Sequence, residues 1–590
     1  VACALPGTGT SAVNGNGTST SANSTVRPPT AESTDAATRQ FRALLEASDE
    51  AGLDRKPLFA LYRGDLRRAG QFGDFLSDRY IEAERQAAND ELAQIAAIDR
   101  DKLGAVDKIA YDTFVWNRRD AAEAHQPEFA RLWSHLPIDH YNSIPLLFAA
   151  ISSGESVAPY KTVADYDNGL TRIDGFVDFL ALATTRMREG MALGIVQPRF
   201  VVERMIPQFE AYADQALEQS QYYQPIRQLP KEFSETDRQR LTRSYTRVIE
   251  DKLRPAFRSL AGFLRDDYLV AARTSVGLSA LPGGARYYEY LVRSRTTTNM
   301  TAAQIHELGL SEVARITTAI RQVATDTGFK GTLQQFFAQV RDDPRFRPAS
   351  VQALQNGYYD IARKVDLGLP RLFKHKPQTP LEIRPIPDIE AAGSAGAYYV
   401  SGSLDTGKPG VFFFNSHDLP SRNTVGMETL YLHEAIPGHH LQGSLAIEDQ
   451  GLPKILRFEW VTSFGEGWAL YSESLGAELG LFTDPYQLFG RLQDEQWRAM
   501  RLVVDTGLHE FGWTRERAID YMLANSAKSR TEVTAEVERY IVDPGQACAY
   551  MVGKLTWLRL RAKAQAALGR RFDIRQFHDA VLLGGAMPLT

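Results

Sequence analysis

Apolar residues recur every three or four positions through most of the chain, which is the pattern of amphipathic helices. Residues 77–98 and 176–193 show it clearly. The segments that begin at Ser234 and Thr301 also carry capping-box signatures, which mark helix starts. Strand-like alternation is scarce here, so residues 35–376 are predicted to form a helical N-terminal part.

A different pattern occupies residues 385–415. Segments 397–401 and 410–415 are rich in aromatic and β-branched residues, and Gly-Lys-Pro at 407–409 separates them. This arrangement predicts a β-hairpin or small sheet. A strand here could line a substrate groove and pair with an extended peptide, which makes Tyr399 a substrate-binding candidate. A sheet that serves only packing is the alternative.

Helical periodicity resumes after residue 415. It predicts helices over residues 424–442, 462–479, 496–509, 544–567 and 573–583. No linker is visible after residue 35, so residues 35–590 are predicted to be one α-rich unit. Residues 1–34 are mostly Gly, Thr, Ser, Asn, Ala and Pro, which predicts a disordered N-terminal linker.

Composition narrows the function classes. With 44% hydrophobic and 24% charged residues, the chain has the composition of a globular protein. Its net charge of −5 gives no basic footprint for nucleic acid. The only cysteines are Cys3 and Cys548, so no disulfide framework is expected. Val1-Ala2-Cys3 matches the end of a bacterial lipoprotein signal, which predicts a membrane tether through a lipidated Cys3; truncation of the sequence is the alternative.

The candidate chemistry lies in residues 432–442, which hold three of the eleven histidines. The segment is close to H-E-x-x-H, in which two histidines one turn apart bind a metal. The residue four positions after His433, however, is Pro437. On an unbroken helix, His433 and a residue six or seven positions later would be separated by about 9 to 10.5 Å along the axis. A kink at Pro437-Gly438 could bring His439 or His440 back toward His433. We interpret His439 as the second ligand and His440 as a supporting residue or alternative ligand.

A third protein ligand is expected, because zinc in hydrolytic sites normally has three and keeps one position for water. Glu466 and Glu473 are seven residues apart and share one face of a predicted helix. Buried carboxylates are costly unless they are paired or bind a metal. Glu466 is therefore the predicted third ligand, with Glu473 as supporting residue or alternative. A capping box with Ser463 is the other interpretation of Glu466.

These motifs resemble those of the bacterial domain-of-unknown-function 885 family. The resemblance runs from about residue 40 to the C-terminus and rests mainly on His433-Glu434-x-x-Pro437-Gly438-His439-His440 and Gly465-Glu466-Gly467-Trp468-Ala469. The family is grouped with gluzincins, zinc peptidases whose third ligand is a glutamate. The resemblance implies a mainly helical fold with a deep cleft, one Zn²⁺ ion, and a lipoprotein in the bacterial cell envelope or periplasm.

The hypothesis is a zinc-dependent peptidase that acts on short peptides. Glu434, next to a predicted ligand, would be the general base. Tyr550 is the candidate donor to the developing oxyanion, and a core tyrosine is the alternative. Lys554, four residues later on the same helix face, is a substrate-binding candidate.

Three further substrate-binding candidates are Arg501, His509 and His578. Arg501 lies three residues after Arg498, and the pair could hold a substrate carboxylate or form surface ion pairs. Two rival functions stay open: a metal-dependent hydrolase of non-peptide esters or amides, and an inactive metallopeptidase-like binding protein. No G-x-S-x-G elbow supports a serine hydrolase.

Overall fold

The fold was analysed in a computed structural model, which describes residues 31–387, 391, 396–402, 404 and 407–590. The protein is 69% helix and 3% strand, so the prediction of a mainly helical fold with a small sheet is confirmed. Cys3 and most of the predicted linker lie outside the described residues. The first described helix begins at Ala31, three residues before the predicted end of the linker. None of the helices in the described ranges is long and apolar enough to span a membrane.

Sixteen α-helices precede the sheet in the described part of the chain. They are α1 Ala31–Arg55, α2 Pro57–Ala60, α3 Asp78–Ala96, α4 Ala105–Ala124, α5 Pro127–His135, α6 Ile144–Ser152, α7 Val163–Leu193, α8 Arg199–Asp214, α9 Gln224–Arg227, α10 Glu235–Val248, α11 Arg254–Phe263, α12 Leu269–Ala271, α13 Gly284–Thr296, α14 Ala302–Asp326, α15 Leu333–Asp342 and α16 Val351–Gly368.

The predicted helix starts are present in this part. Thr301 and Gln304 form a reciprocal capping box at the start of α14. Ser234 caps α10 through its side chain, which accepts a hydrogen bond from the Asp237 backbone N–H. The buried faces of α6, α7, α8, α10 and α11 form one core around aromatic side chains such as Phe176. Local capping and helical periodicity therefore account for the helices that precede the sheet.

A three-stranded sheet follows, with strands β1 Leu381–Pro385, β2 Ala397–Val400 and β3 Gly410–Phe414. Its order is β1-β3-β2, with β3 antiparallel to β2 and parallel to β1. The predicted pair thus corresponds to β2 and β3, whereas β1 was not predicted. β1 gains its strand partner only through tertiary contact, and its burial does not follow a clear alternation along the sequence.

Nine α-helices complete the chain. They are α17 Met427–Glu434, α18 His439–Glu448, α19 Lys454–Phe458, α20 Thr462–Glu473, α21 Pro485–His509, α22 Arg515–Ala524, α23 Arg530–Val542, α24 Ala549–Leu568 and α25 Ile574–Leu582. The segment predicted as one kinked helix over residues 424–442 is therefore two separate helices.

Glycines bring two pairs of these long helices into close contact. A Cβ atom on Gly553 of α24 would lie 2.6 Å from the Cα atom of Gly467 in α20, so the two backbones touch. A Cβ atom on Gly309 of α14 would lie 2.7 Å from the Cβ atom of Leu502 in α21. Both contacts require glycine because a side chain would separate the helices. They place α24 against α20, which carries Glu466, and α14 against α21.

Candidate metal centre

The candidate site begins at the break between α17 and α18. Helix α17 ends at Glu434, the Ile436–Pro437 peptide bond is cis, and α18 begins at His439. The backbone of Gly438 packs directly against the end of α17: a Cβ atom there would lie 1.9 Å from the carbonyl oxygen of His433. Because the chain folds back so tightly, the rings of His433 and His439 have centroids 4.9 Å apart.

Helix α20 is fastened to this break. The indole Nε1 of Trp468 donates a 2.8 Å hydrogen bond to the carbonyl oxygen of Pro437, and the Ser472 hydroxyl donates a longer one of 3.4 Å. Helix α20 begins at Thr462 after Val461, without a side-chain cap. The capping-box interpretation of Glu466 is therefore wrong, and its carboxylate is available to the two histidines.

The structure brings His433, His439 and Glu466 together. Oε2 of Glu466 lies 3.6 Å from Nε2 of His433 and 3.5 Å from Nε2 of His439. The ligand atoms of all three residues lie within 4.8 Å of one another. The side chains are 3%, 4% and 7% exposed, so the cluster is buried. Within the described chain, it is the one group of three or more His, Cys, Asp or Glu residues with this spacing.

These distances suit ligands that share one ion. Zinc binds imidazole nitrogen at about 2.0–2.1 Å and carboxylate oxygen at about 2.0–2.2 Å, so two tetrahedral ligands should be about 3.4 Å apart. The two carboxylate–imidazole separations are 3.6 and 3.5 Å, longer than ordinary N–H···O hydrogen bonds. Two imidazoles and one carboxylate are also a common donor set for catalytic zinc. The residues present therefore fit a zinc ion.

Glu473 orients the first of these histidines. Its Oε1 accepts a 2.8 Å hydrogen bond from Nδ1 of His433, and its Oε2 accepts one of 2.9 Å from the Thr429 hydroxyl. Arg498 lies 3.5 Å from the same carboxylate. Holding Nδ1–H in this way leaves Nε2 of His433 directed at Glu466, the arrangement that supports metal-bound histidines.

The electrostatics of the cluster favour positive charge. Burial is the largest influence on His433 and lowers its pKa, but the neighbouring carboxylates of Glu466 and Glu473 outweigh it and raise the pKa to about 9. Burial likewise raises the pKa of Glu466, yet the two neighbouring histidines hold that pKa well below its ordinary value. Glu466 is therefore ionised in a buried site that requires a cationic partner.

His440 faces away from this cluster. Its Nδ1 is 2.9 Å from the hydroxyl of Tyr399 in β2, and burial lowers its pKa to about 4. A Cβ atom on Gly410 would lie 2.6 Å from the same nitrogen, so strand β3 also approaches the ring. The structure thus directs His439 to Glu466 and His440 to the sheet. Tyr399 is placed as a partner of His440.

Glu434 and Tyr550 both lie near the cluster. The charge of Glu434 acts on the adjacent His433 imidazole. Tyr550, at the start of α24, has its pKa raised by burial and then by the charge of Glu466. The guanidinium of Arg501 lies 4.4 Å from the centroid of the Tyr550 ring.

The other substrate-binding candidates are engaged elsewhere. Lys554 is 1% exposed and forms a 2.6 Å ion pair with Glu495. Both ring nitrogens of His509 are hydrogen-bonded, to the Leu278 N–H and to the Tyr540 carbonyl. These contacts give both side chains structural roles.

His578 is similarly engaged. Its Nδ1 is 2.8 Å from the carbonyl oxygen of Leu372 and its Nε2 is 2.9 Å from the hydroxyl of Tyr471. Its ring also stacks on Phe373, with centroids 4.4 Å apart. The imidazole is fully buried by these contacts.

Sequence reasoning missed three residues around the cluster. Thr429 is one turn before His433, a spacing that could have indicated its shared contact with Glu473. Trp460, whose ring centroid is 5.8 Å from that of His439, gave no local signal. Arg539 lies on α23, and only the fold brings it to Arg501 through a shared carboxylate.

Comparisons with known proteins agree with this architecture. The family described as "Bacterial protein of unknown function (DUF885)" matches residues 57–590. "The crystal structure of the putative lipoprotein from Colwellia psychrerythraea" superposes with a TM-score of 0.86 at 27% identity, covering 94% of this chain and 97% of that one. "The structure of a putative lipoprotein of unknown function from Shewanella oneidensis" has the same fold, with a TM-score of 0.72 at 18% identity over 93% and 98% of the two chains. No curated protein matches. The chain belongs to the DUF885 family of bacterial proteins of unknown function.

Proposed function

We propose that the protein is a zinc-dependent peptidase that cleaves short peptides. The observation that carries this proposal is the buried set of His433, His439 and Glu466, whose donor atoms have the spacing of ligands around one tetrahedral ion. Three protein ligands would leave one position for water or substrate, which distinguishes catalytic from structural zinc sites.

A zinc ion held there would lower the pKa of a bound water toward about 7 and polarise the scissile carbonyl. Glu434 would take the proton from that water and pass it to the leaving amine. Within the described chain, no group hydrogen-bonds the Glu434 carboxylate, and the side chain is 8% exposed. Among the described residues, no donor therefore competes for its oxygens.

Tyr550 would stabilise the negative charge that develops on the carbonyl oxygen. Burial and the charge of Glu466 raise the pKa of Tyr550, so the phenol stays protonated and remains a hydrogen-bond donor at neutral pH. One donor aimed at such a charge is worth about 2.7–4 kcal/mol in known hydrolases. A protonated phenol that responds to the charge of Glu466 supports this proposed role.

We also propose an envelope location. Both similar structures carry the word lipoprotein in their names, and Cys3 follows two small residues as in a lipoprotein signal. Mass spectrometry of the N-terminal peptide from native membranes would detect a lipidated Cys3. An unmodified Cys3 in that peptide would refute the tether.

The test begins with metal analysis of the purified protein. We expect one zinc per chain, and we expect His433→Ala to lose it. Glu434→Gln should keep the zinc but lower peptide hydrolysis by about 10²–10⁴-fold, the usual contribution of a general base. Glu478→Gln is the matched control, because Glu478 pairs with Arg561 and is 40% exposed.

Each contrary result has a separate meaning. Absence of bound zinc would refute the proposal and favour the inactive binding protein. Bound zinc with hydrolysis of esters or non-peptide amides but no peptides would favour the rival hydrolase. Bound zinc with unchanged peptide hydrolysis in Glu434→Gln would refute the role of Glu434.

A further inference from the structure

Two buried arginines beside the candidate centre share a single carboxylate. Arg501 of α21 and Arg539 of α23 lie 3.1 and 3.0 Å from Oε2 of Glu536. The two arginines are 7% and 6% exposed. The Tyr540 hydroxyl donates to the same carboxylate at 2.6 Å. No other acidic group in the described chain ion-pairs with either arginine, so the cluster has one excess positive charge.

Arg501 also has a hydrogen-bond donor to spare. Its Nε donates to the Tyr540 hydroxyl at 3.0 Å and its Nη2 donates to Glu536. Its Nη1 is buried and has no hydrogen-bond partner within the described chain. Leaving a buried donor unsatisfied costs about 1–3 kcal/mol, and more for a charged group. An anionic acceptor would satisfy this nitrogen and neutralise the excess charge together.

The arginine cluster is connected to the helix of the candidate ligand Glu466 through Tyr550. Arg501 packs its guanidinium over the ring of Tyr550, 4.4 Å from the centroid. Tyr550 lies one turn before Gly553, whose backbone touches Gly467 beside Glu466. Tyr550 therefore contacts Arg501 and belongs to the helix that packs against the helix of the candidate ligand Glu466.

We propose that Arg501, through its unpartnered Nη1, binds the free C-terminal carboxylate of the peptide substrate, so that the protein cleaves peptides near their carboxyl end. Arg539, whose guanidinium nitrogens all donate to Glu536 and Gln546, contributes its positive charge. This inference rests on the proposed peptidase function and specifies its substrate. A carboxylate oxygen would accept a charge-assisted hydrogen bond from this Nη1 and neutralise the excess charge, whereas a neutral carboxamide would leave that charge uncompensated. A peptide anchored there would extend past Tyr550 to reach the ligand cluster. The recognition is of the chain end, so it applies whatever the neighbouring side chains are.

The test uses one pool of mixed peptides in two forms, with free and with amidated C-termini. Zinc-loaded wild-type protein is expected to cleave the free-acid pool at bonds close to the carboxyl end. Cleavage of the amidated pool should be at least about 10-fold slower, equivalent to one lost charge-assisted hydrogen bond. Mass spectrometry of the products gives both the rate and the bond cleaved.

A binding measurement separates this subsite from catalysis. In zinc-loaded Glu434→Gln protein, the free-acid pool should raise the unfolding temperature and the amidated pool should not. Adding Arg501→Gln should abolish this difference, whereas Arg501→Lys, which keeps the charge but loses the planar fork, should retain part of it. Arg199→Gln is the control, because Arg199 is 53% exposed and pairs only with Glu203 in the described chain.

Failure of this inference can be told apart from failure of the proposed function. Equal cleavage of the two pools, or cleavage at internal bonds, would overturn the inference and leave the peptidase standing. A free-acid preference that persists in Arg501→Gln would also overturn it. No cleavage of either pool would overturn the peptidase, and the inference with it.

Discussion

Replacing Gly438 with alanine tests whether the break between α17 and α18 builds the metal centre. The added Cβ atom would lie 1.9 Å from the carbonyl oxygen of His433 and 2.4 Å from that of Leu432. Since Cβ atoms essentially never come within 3.0 Å of another heavy atom, the backbone must move by at least about 1.1 Å. Metal–ligand distances tolerate only about 0.2 Å. His433 and His439 flank this contact, so the movement should separate them.

The expected loss of zinc affinity is at least about 100-fold, the upper end of what one missing supporting contact costs. That corresponds to about 2.7 kcal/mol. Overpacking should also lower the free energy of unfolding by about 1–3 kcal/mol. Competition with a chelator measures the affinity, and thermal unfolding of the metal-free protein measures the stability.

Gly443→Ala provides the matched control within α18. A Cβ atom at Gly443 would meet nothing within 4 Å, so only the helix propensity changes. This substitution should leave zinc affinity unchanged and stabilise the protein by about 0.5–1 kcal/mol. If Gly438→Ala binds zinc as tightly as Gly443→Ala, the reasoning from the close approach is refuted.

Two further predictions concern the contacts around the site and the buried histidines. Glu473→Gln should weaken zinc binding about 10- to 100-fold while the ligands remain, because the neutral amide orients His433 less firmly; unchanged affinity in chelator competition would contradict this role. Burial lowers the pKa of His578 to about 4, below its ordinary value of about 6.5, so the unfolded chain takes up this proton first as the pH falls. The stability that His578 contributes should therefore be complete above about pH 6.5 and fall by roughly 3 kcal/mol toward pH 4. Denaturant unfolding at several pH values should give a shallower acid dependence in His578→Phe, and an unchanged slope would contradict this assignment.

Local sequence predicted the features that depend on local physics. Helix periodicity, the Thr301 capping box and a distortion at Pro437-Gly438 were all visible in the sequence, because each depends on residues within one or two turns. The distortion was predicted as a kink, whereas the structure has two separate helices there. The prediction of Glu466 as third ligand rested on its helix face, which also carries Ala469 and Leu470 and was therefore expected to be buried, and on the cost of burying a carboxylate. Strand β1 was missed because its pairing with β3 joins segments almost 30 residues apart.

The choice between His439 and His440 could not be made from the sequence. Successive helical residues point about 100° apart, so the direction in which α18 restarts decides which ring faces α20. That direction depends on distant partners: Tyr399 of β2 holds His440, and Trp468 of α20 holds the Pro437 carbonyl. Arg539 was missed for the same reason, since its relation to Arg501 depends on the packing of α21 and α23.

The contacts that hold the three candidate ligands in place are made by protein groups. Trp468 binds the carbonyl of Pro437 in the break and lies two residues after Glu466, so the residue that fastens the break and the third ligand belong to one helix turn. Glu473, two turns after Glu466 on α20, orients His433. Because one rigid element fixes two ligands relative to the third, an incoming ion would find its donors close to their bound positions. Little reorganisation would then oppose metal binding, and the same rigidity explains why a shift of about 1 Å at Gly438 should be so costly.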